Sequence, residues 1–384
     1  MKIAHINMFF YPTIGGVEQV MYELAKRQAE DGHEVHVFCC DSDKEKRIKV
    51  KEETIEGIHI HRLPYIVRLS LNTFVWPSLL WRFKGDFDII HSHVSGHDYT
   101  LFSGLLAKIK KAKHIHTTHC PWTDSSFRPL ILRPFLFFND IFLNKLAFKL
   151  VDKIIAITPW ELDIIKKFAI EKKIKIIPNG VDKMLYKKIK NNKFKEKNNI
   201  KEKFLVLFFG RLNPTKGPEV LAKTAVNISK KRKDIAFVWV GPDEGKAEEV
   251  KELIKNYRNM KYLGPIRGKE KIAEMYQAAD IFVLPSYREG MPLTLIEAMS
   301  CGLPIIASPV NGVPYEMSSP DNGFFSNYGD LKSLEKNIIK LISNEKLRKR
   351  ISLNNKEHAK NYLWDNIYKK YMEEYKSLMQ LQQK

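Results

Sequence analysis

Cysteine is scarce. Four occur in 384 residues, Cys39, Cys40, Cys120 and Cys301. Their spacing fits neither a zinc ribbon nor a disulfide framework, so a reducing, cytoplasmic compartment is expected. No apolar run reaches the roughly 18 residues that a spanning helix needs. The opening Met1-Lys2-Ile3-Ala4-His5-Ile6 reads as a strand and not as a secretory signal. There is no H-E-x-x-H, no full G-x-G-x-x-G and no P-loop order. Acidic residues are outnumbered, 44 against 64 Lys and Arg, for a net charge of +20. Most of the excess lies in residues 101–200, which hold 21 Lys and Arg against 8 Asp and Glu. Such a block attracts phosphates of nucleotides, nucleic acids or anionic lipids. No aromatic RNA-binding strand and no DNA-reading motif accompanies it, so nucleic acid is not the expected partner.

What is present is a long, well-mixed chain, 44% hydrophobic and 28% charged. It is long enough for about two domains of roughly 150 residues. Short apolar runs (Ile3–Met8, Val35–Cys40, Ile58–Arg62, Ile89–His93, His114–Thr118, Ile154–Thr158, Ile174–Pro178) alternate with helical patterns. That is the signature of an α/β fold with a parallel sheet. A Lys- and Asn-rich stretch, 183–203, reads as a linker. A second alternating set follows, with strands at Phe204–Phe209, Ala236–Val240, Met260–Leu263, Ile281–Leu284 and Ile305–Ala307. Two Rossmann-like domains are therefore expected, 1–190 and 191–364. A tail helix, 365–384, carries the stripe Ile367, Tyr371, Tyr375, Leu378.

The segment Pro285-Ser286-Tyr287-Arg288-Glu289-Gly290-Met291-Pro292-Leu293 runs from a buried strand into a helix that contains Glu297. Free N–H groups and the dipole at a helix start attract anions, and Glu289 and Glu297 can bind sugar hydroxyls beside a phosphate. Gly210-Arg211…Lys216-Gly217 also follows a buried strand and offers two cations to a diphosphate. Gly15-Gly16 lets backbone approach a ligand closely after the first strand. His119, at the end of another strand, can donate a hydrogen bond to a substrate hydroxyl. His91, His93, His97, His114 and His116 read as structural. Asp41-x-Asp43 and Asp86-x-Asp88 read as turn acids, so no metal is expected. The aromatic, basic stretch Phe127–Leu150, with a helix start at Pro134, fits either a membrane surface or a cover for its own sheet.

Four segments together resemble the family-four (group 1) glycosyltransferases of GT-B fold. They are Gly15-Gly16-Val17-Glu18, Pro178-Asn179-Gly180-Val181-Asp182, Gly210-Arg211…Lys216-Gly217 and Glu289-Gly290…Glu297-Ala298, with Trp364-Asp365 in the tail. The resemblance implies two domains facing a cleft and a last helix that crosses back to the first domain. It implies a UDP- or GDP-sugar donor in the second domain. Arg211 and Lys216 would grip its diphosphate, and the backbone of Gly290, Met291, Pro292 and Leu293 would cap phosphate and sugar. Glu289 would meet the sugar ring and Glu297 the ribose. From the first domain, Gly15 and Gly16 would approach the diphosphate and His119 the sugar. Cys120 stands where an acid or another polar residue is more usual. The family transfers sugars with retention and without a bound metal or cofactor. The expected acceptor is a lipid-linked or cell-surface glycan, reached from the inner face of the membrane. A sugar-nucleotide epimerase or hydrolase of the same architecture is the alternative, and a basic nucleic-acid-binding protein a distant one.

Overall fold

The structure, a computed structural model, describes residues 1–13, 15–68, 74–120 and 142–380. Pro134 and the first part of the aromatic, basic stretch lie outside the described residues. The chain divides into two compact units, Met1–Asn179 with Ile367–Lys384, and Gly180–Asn366.

The first unit is built on an eight-stranded sheet of order β10-β9-β8-β7-β1-β2-β4-β3. Its strands are β1 (Lys2–Ile6), β2 (Glu34–Cys40), β3 (Glu52–Ile55), β4 (Ile58–Leu63), β7 (Ile89–His93), β8 (Lys113–Thr117), β9 (Lys153–Ala156) and β10 (Ile174–Ile176). All pairings are parallel except β3 with β4. A two-stranded ribbon, β5 (Val67–Arg68) and β6 (Phe74–Val75), stands apart. Ile3, Ala4 and Ile6 of β1 and Ile89 and Ile90 of β7 are fully buried, as strands covered on both faces must be. Cys39 and Cys40 are buried free thiols.

The helix Trp364–Gln380 supplies much of this unit's cover from Ile367 onward. Its stripe Ile367, Tyr371, Tyr375 and Leu378 is buried. The Tyr375 hydroxyl meets His91 Nδ1 at 2.5 Å, Tyr368 donates to Asp31 at 2.7 Å, and Glu374 pairs with Lys153 at 2.7 Å.

The second unit holds six parallel strands in the order β13-β12-β11-β14-β15-β16. They are β11 (Phe204–Phe209), β12 (Ile235–Val240), β13 (Met260–Tyr262), β14 (Ile281–Leu284), β15 (Ile305–Ala307) and β16 (Gly323–Phe325). The unbroken apolar run of β11 marks the sheet's centre. The helix Pro218–Lys231 after it turns Val220, Leu221, Ala225 and Ile228 to the core, with proline at its first position.

The unit boundary falls at Asn179/Gly180, earlier than residue 190. Val181 N–H donates to the Tyr362 carbonyl at 2.8 Å, and Asp182 pairs with Lys269 at 2.6 Å. The 183–203 stretch is not a free linker. It contains a 3-10 turn, Lys183–Tyr186, and a helical turn, Phe194–Lys197, and it buries Leu185, Phe194 and Ile200. Its charges hid these three anchors. The sequence reading also missed β3, β16 and the β5–β6 ribbon.

Candidate active site

In the second unit, β11 and β14 are neighbours at the point where the strand order reverses. Ligands of open α/β sheets bind in the crevice at the carboxyl ends of such a pair. Both phosphate-type segments leave from these ends, residues 210–217 after β11 and 285–292 after β14.

Asn213 shapes the first loop. Its Oδ1 accepts from the N–H groups of Thr215 and Lys216 at 3.1 Å each, and from the Thr215 hydroxyl at 2.9 Å. The Thr215 carbonyl then accepts from the Tyr287 N–H of the second loop at 2.8 Å. Gly217 permits the close approach: its φ is +61°, and a Cβ there would lie 2.3 Å from the Pro285 carbonyl oxygen. The result is a direct pair between the loops. Lys216 Nζ donates to both Glu289 oxygens, at 2.6 and 2.7 Å, and Ser286 donates to Glu289 Oε1 at 2.6 Å. Both charged side chains are largely shielded, 17% and 4% exposed.

Arg211 does not share in this pair. It meets Glu244 at 3.1 Å and is 46% exposed, and Asn213 Nδ2 steadies the same carboxylate at 3.0 Å. Gly290, Met291 and Pro292 lead into the helix Leu293–Ser300, which starts at Pro292 without a capping side chain. Its first N–H groups are thus not claimed by a side-chain cap. Glu297, inside that helix, accepts from the Tyr276 hydroxyl at 2.9 Å, and burial raises its carboxyl above the ordinary range.

In the first unit, Gly15 precedes the helix Gly16–Glu30 in an extended conformation. The Glu18 carboxylate folds over it, so a Cβ at Gly15 would meet Glu18 Oε2 at 2.1 Å. Glu18 also pairs with Lys44 at 3.3 Å. His119 and Cys120 follow β8 with φ of +54° and +52°, a conformation that costs a non-glycine residue about 1 kcal/mol or more. Glu161 holds this turn. Its carboxylate accepts from Cys120 N–H at 2.6 Å, Thr118 Oγ1 at 2.7 Å and Ile157 N–H at 2.7 Å.

The turn acids are engaged. Asp41 binds Arg47 and Lys51 at 2.8 and 2.6 Å. Asp88 accepts from Lys2 N–H at 2.7 Å, and Asp86 pairs with Lys110 at 3.1 Å. His5, His91 and His93 each bring a ring nitrogen within 4.8 Å of the others, but all six nitrogens have hydrogen-bond partners. Ser286 and Asn213 lie inside the two loops read from sequence but were given no role there, and Glu244, Tyr276 and Glu161 escaped the sequence reading. Asn213-Pro214 is a legible turn signal. Glu161 lies 41 residues from Cys120, and nothing local marks it.

Two family descriptions cover most of the chain: Glycosyltransferase Family 4 over residues 14–184 and Glycosyl transferases group 1 over residues 190–358. MJ1069 of Methanocaldococcus jannaschii, an uncharacterized glycosyltransferase, is 30% identical over 99% of this chain and 98% of its own. The UDP-Gal:alpha-D-GlcNAc-diphosphoundecaprenol alpha-1,3-galactosyltransferase of Escherichia coli is 27% identical over 90% of this chain and 89% of its own. HepE of Anabaena, solved with UDP and glucose, superposes with a TM-score of 0.80 at 20% identity, covering 98% of this chain and 100% of that one. Sequence along both units and fold agree, and the chain belongs to the group 1, family-four glycosyltransferases, with the GT-B fold.

Proposed function

We propose that the enzyme moves a sugar from a UDP- or GDP-sugar to a hydroxyl of a lipid-linked or cell-surface glycan, with retention of anomeric configuration and without a metal. The Lys216–Glu289 pair carries this reading. An ammonium has three N–H donors; two serve Glu289, and the third is left for a phosphate oxygen. Glu289, held by Lys216 and Ser286, then faces sugar hydroxyls as a fixed acceptor. Arg211 adds a second, more mobile charge to the diphosphate by exchanging Glu244 for it. The uncapped N–H groups at Leu293–Ser300 complete the cradle, and Glu297 takes the ribose. The resemblance alone supports Gly15, Gly16 and His119 as further donor contacts. The bond from the anomeric carbon to the leaving phosphate oxygen breaks, and the acceptor oxygen bonds to that carbon on the same face. The acceptor's proton passes to the departing phosphate. Lys216 and the helix N–H groups stabilise the charge that builds there.

The E. coli relative's diphosphoundecaprenol acceptor supports a lipid-linked acceptor here, and the first unit carries a surface that suits an anionic membrane. The helix Asp98–Lys110 contacts both Ser78–Arg82 and Asn144–Lys149, and each of the three helices exposes a large apolar side chain, Ile109, Trp81 and Leu146. Beside them Lys108, Lys111, Lys113, Lys149 and Lys173 line a cavity of about 270 Å³. Among the described residues no helix is long and apolar enough to cross a membrane, so attachment would be peripheral.

The donor role is tested by Lys216→Ala, with turnover measured on the nucleotide sugar that most raises the melting temperature. Turnover is expected to fall about 10²-fold or more, the scale of one lost charge-stabilising donor. Transfer at the parent rate would remove Lys216 from the reaction.

A further inference from the structure

His119 is the outer end of a line of hydrogen bonds that crosses the sheet beneath it. Gln28 Oε1 lies 2.7 Å from His5 Nε2, His5 Nδ1 lies 3.0 Å from His93 Nε2, and His93 Nδ1 lies 3.1 Å from His119 Nε2. Gln28, His5 and His93 are buried, and among the described residues no carboxylate acts on His5 or His119. Burial alone pushes the His119 imidazolium down to about 3 and is the chief cause that brings His5 to about 4, so the rings are neutral at pH 7. A neutral imidazole has one donor and one acceptor nitrogen. The order of protons along the line then follows from its closed end. An amide oxygen only accepts, so His5 carries its proton on Nε2. His5 Nδ1 is therefore an acceptor and His93 must donate from Nε2. His93 Nδ1 is then an acceptor, and His119 must donate from Nε2.

We propose that Gln28, His5 and His93 are positioning residues that hold His119 as the Nε2–H tautomer, leaving its Nδ1 lone pair to accept a hydroxyl hydrogen of the bound sugar. This rests on the reading that His119 meets that sugar, and it reverses the sense of the hydrogen bond expected from sequence. His119 has no proton to give at Nδ1, so it selects a donor sugar with a free hydroxyl at that point and does no acid catalysis. The alternative use of the cluster, a metal held by His5, His91 and His93, would break bonds that every one of these nitrogens already makes.

The test is nitrogen NMR of the full chain labelled in histidine, with His119 assigned by its loss in His119→Ala. At pH 7 the parent protein should show His119 protonated at Nε2 and bare at Nδ1. A proton on Nδ1 overturns the proposal. Gln28→Met takes the acceptor from the closed end while keeping the bulk. It should leave His119 a mixture of tautomers and lower kcat up to about tenfold at unchanged donor KM, the scale of one neutral hydrogen bond. A folded Gln28→Met protein with His119 still wholly Nε2–H would overturn the relay, and if that variant does not fold the parent spectrum still decides. His119→Ala transferring sugar at the parent rate would instead remove the sugar contact, whatever the tautomer.

Discussion

Glu316 shows how a single carboxyl can set a pH limit away from the chemistry. It is buried, one of its oxygens has no hydrogen-bond partner, and burial pushes its pKa up to about 7. A folded-state value above the unfolded one means that the folded chain holds the proton longer. Stability is therefore lost as pH rises from about 4.5 towards 7 and stays reduced above it. Glu316→Gln keeps the shape and removes the titration. Thermal melting at pH 5 and pH 8 should show the variant gaining over the parent at pH 8, by an amount on the order of 2–3 kcal/mol, and little at pH 5. Equal differences at both values would show that Glu316 does not titrate across this window. At the same scale, Lys216 and Glu289 were each legible in the sequence as residues of a loop after a buried strand. Their pairing was not, because the partners are 73 residues apart and only the sheet order brings them together. Glu161 was invisible for the same reason, although it holds the strained turn of His119.

Among the elements, the two loops of the second unit depend on one another's backbone. Gly217 starts the helix Pro218–Lys231 in the left-handed region and leaves no room for a Cβ against the Pro285 carbonyl. Gly217→Ala should lower stability by more than about 1 kcal/mol from the backbone strain alone. It should also weaken nucleotide binding, because the Pro285–Pro292 loop must retreat and take Glu289 from Lys216. Melting and nucleotide titration of the variant check both effects. An unchanged melting temperature would mean that the approach of the loops is loose. Strands such as Phe204–Phe209 and Ile281–Leu284 were readable because their apolar runs have one interpretation. β3 was not, because Glu52-Glu53-Thr54-Ile55 looks solvated. Its signal was the tight turn at Glu56-Gly57, both at positive φ, which returns the chain antiparallel to β4. Gly180 has a comparable local logic: a Cβ there would lie 2.4 Å from the Trp364 ring, so the glycine of the Asn179-Gly180-Val181 segment is a seat for that indole.

For the whole molecule, charge is the property that no single loop explains. A net +20 far exceeds what one diphosphate needs; the basic block of residues 101–200 spans the end of the first unit and the start of the second, and the first unit adds exposed Trp81 and Ile109 (63% and 73% exposed). The chain should therefore sediment with vesicles containing anionic lipid at low salt, lose most of that binding as ionic strength rises, and ignore neutral vesicles. Trp81→Ser together with Ile109→Ser should weaken what remains at higher salt. Equal binding to neutral and anionic vesicles would contradict an electrostatic surface. The two-unit plan was legible in the repeated alternation of strand and helix; the position of the boundary was not, because lysines and asparagines mask three buried side chains.

The route of the chain has a consequence for its birth on the ribosome. The second unit is one continuous stretch, Gly180–Asn366, whereas the first needs residues from Ile367 onward to cover it. The unit translated first is thus completed last. Until the final turns emerge, the histidine-lined face that Tyr371 and Tyr375 will seal stays open, and a nascent chain stalled before that point is a target for chaperones and proteases.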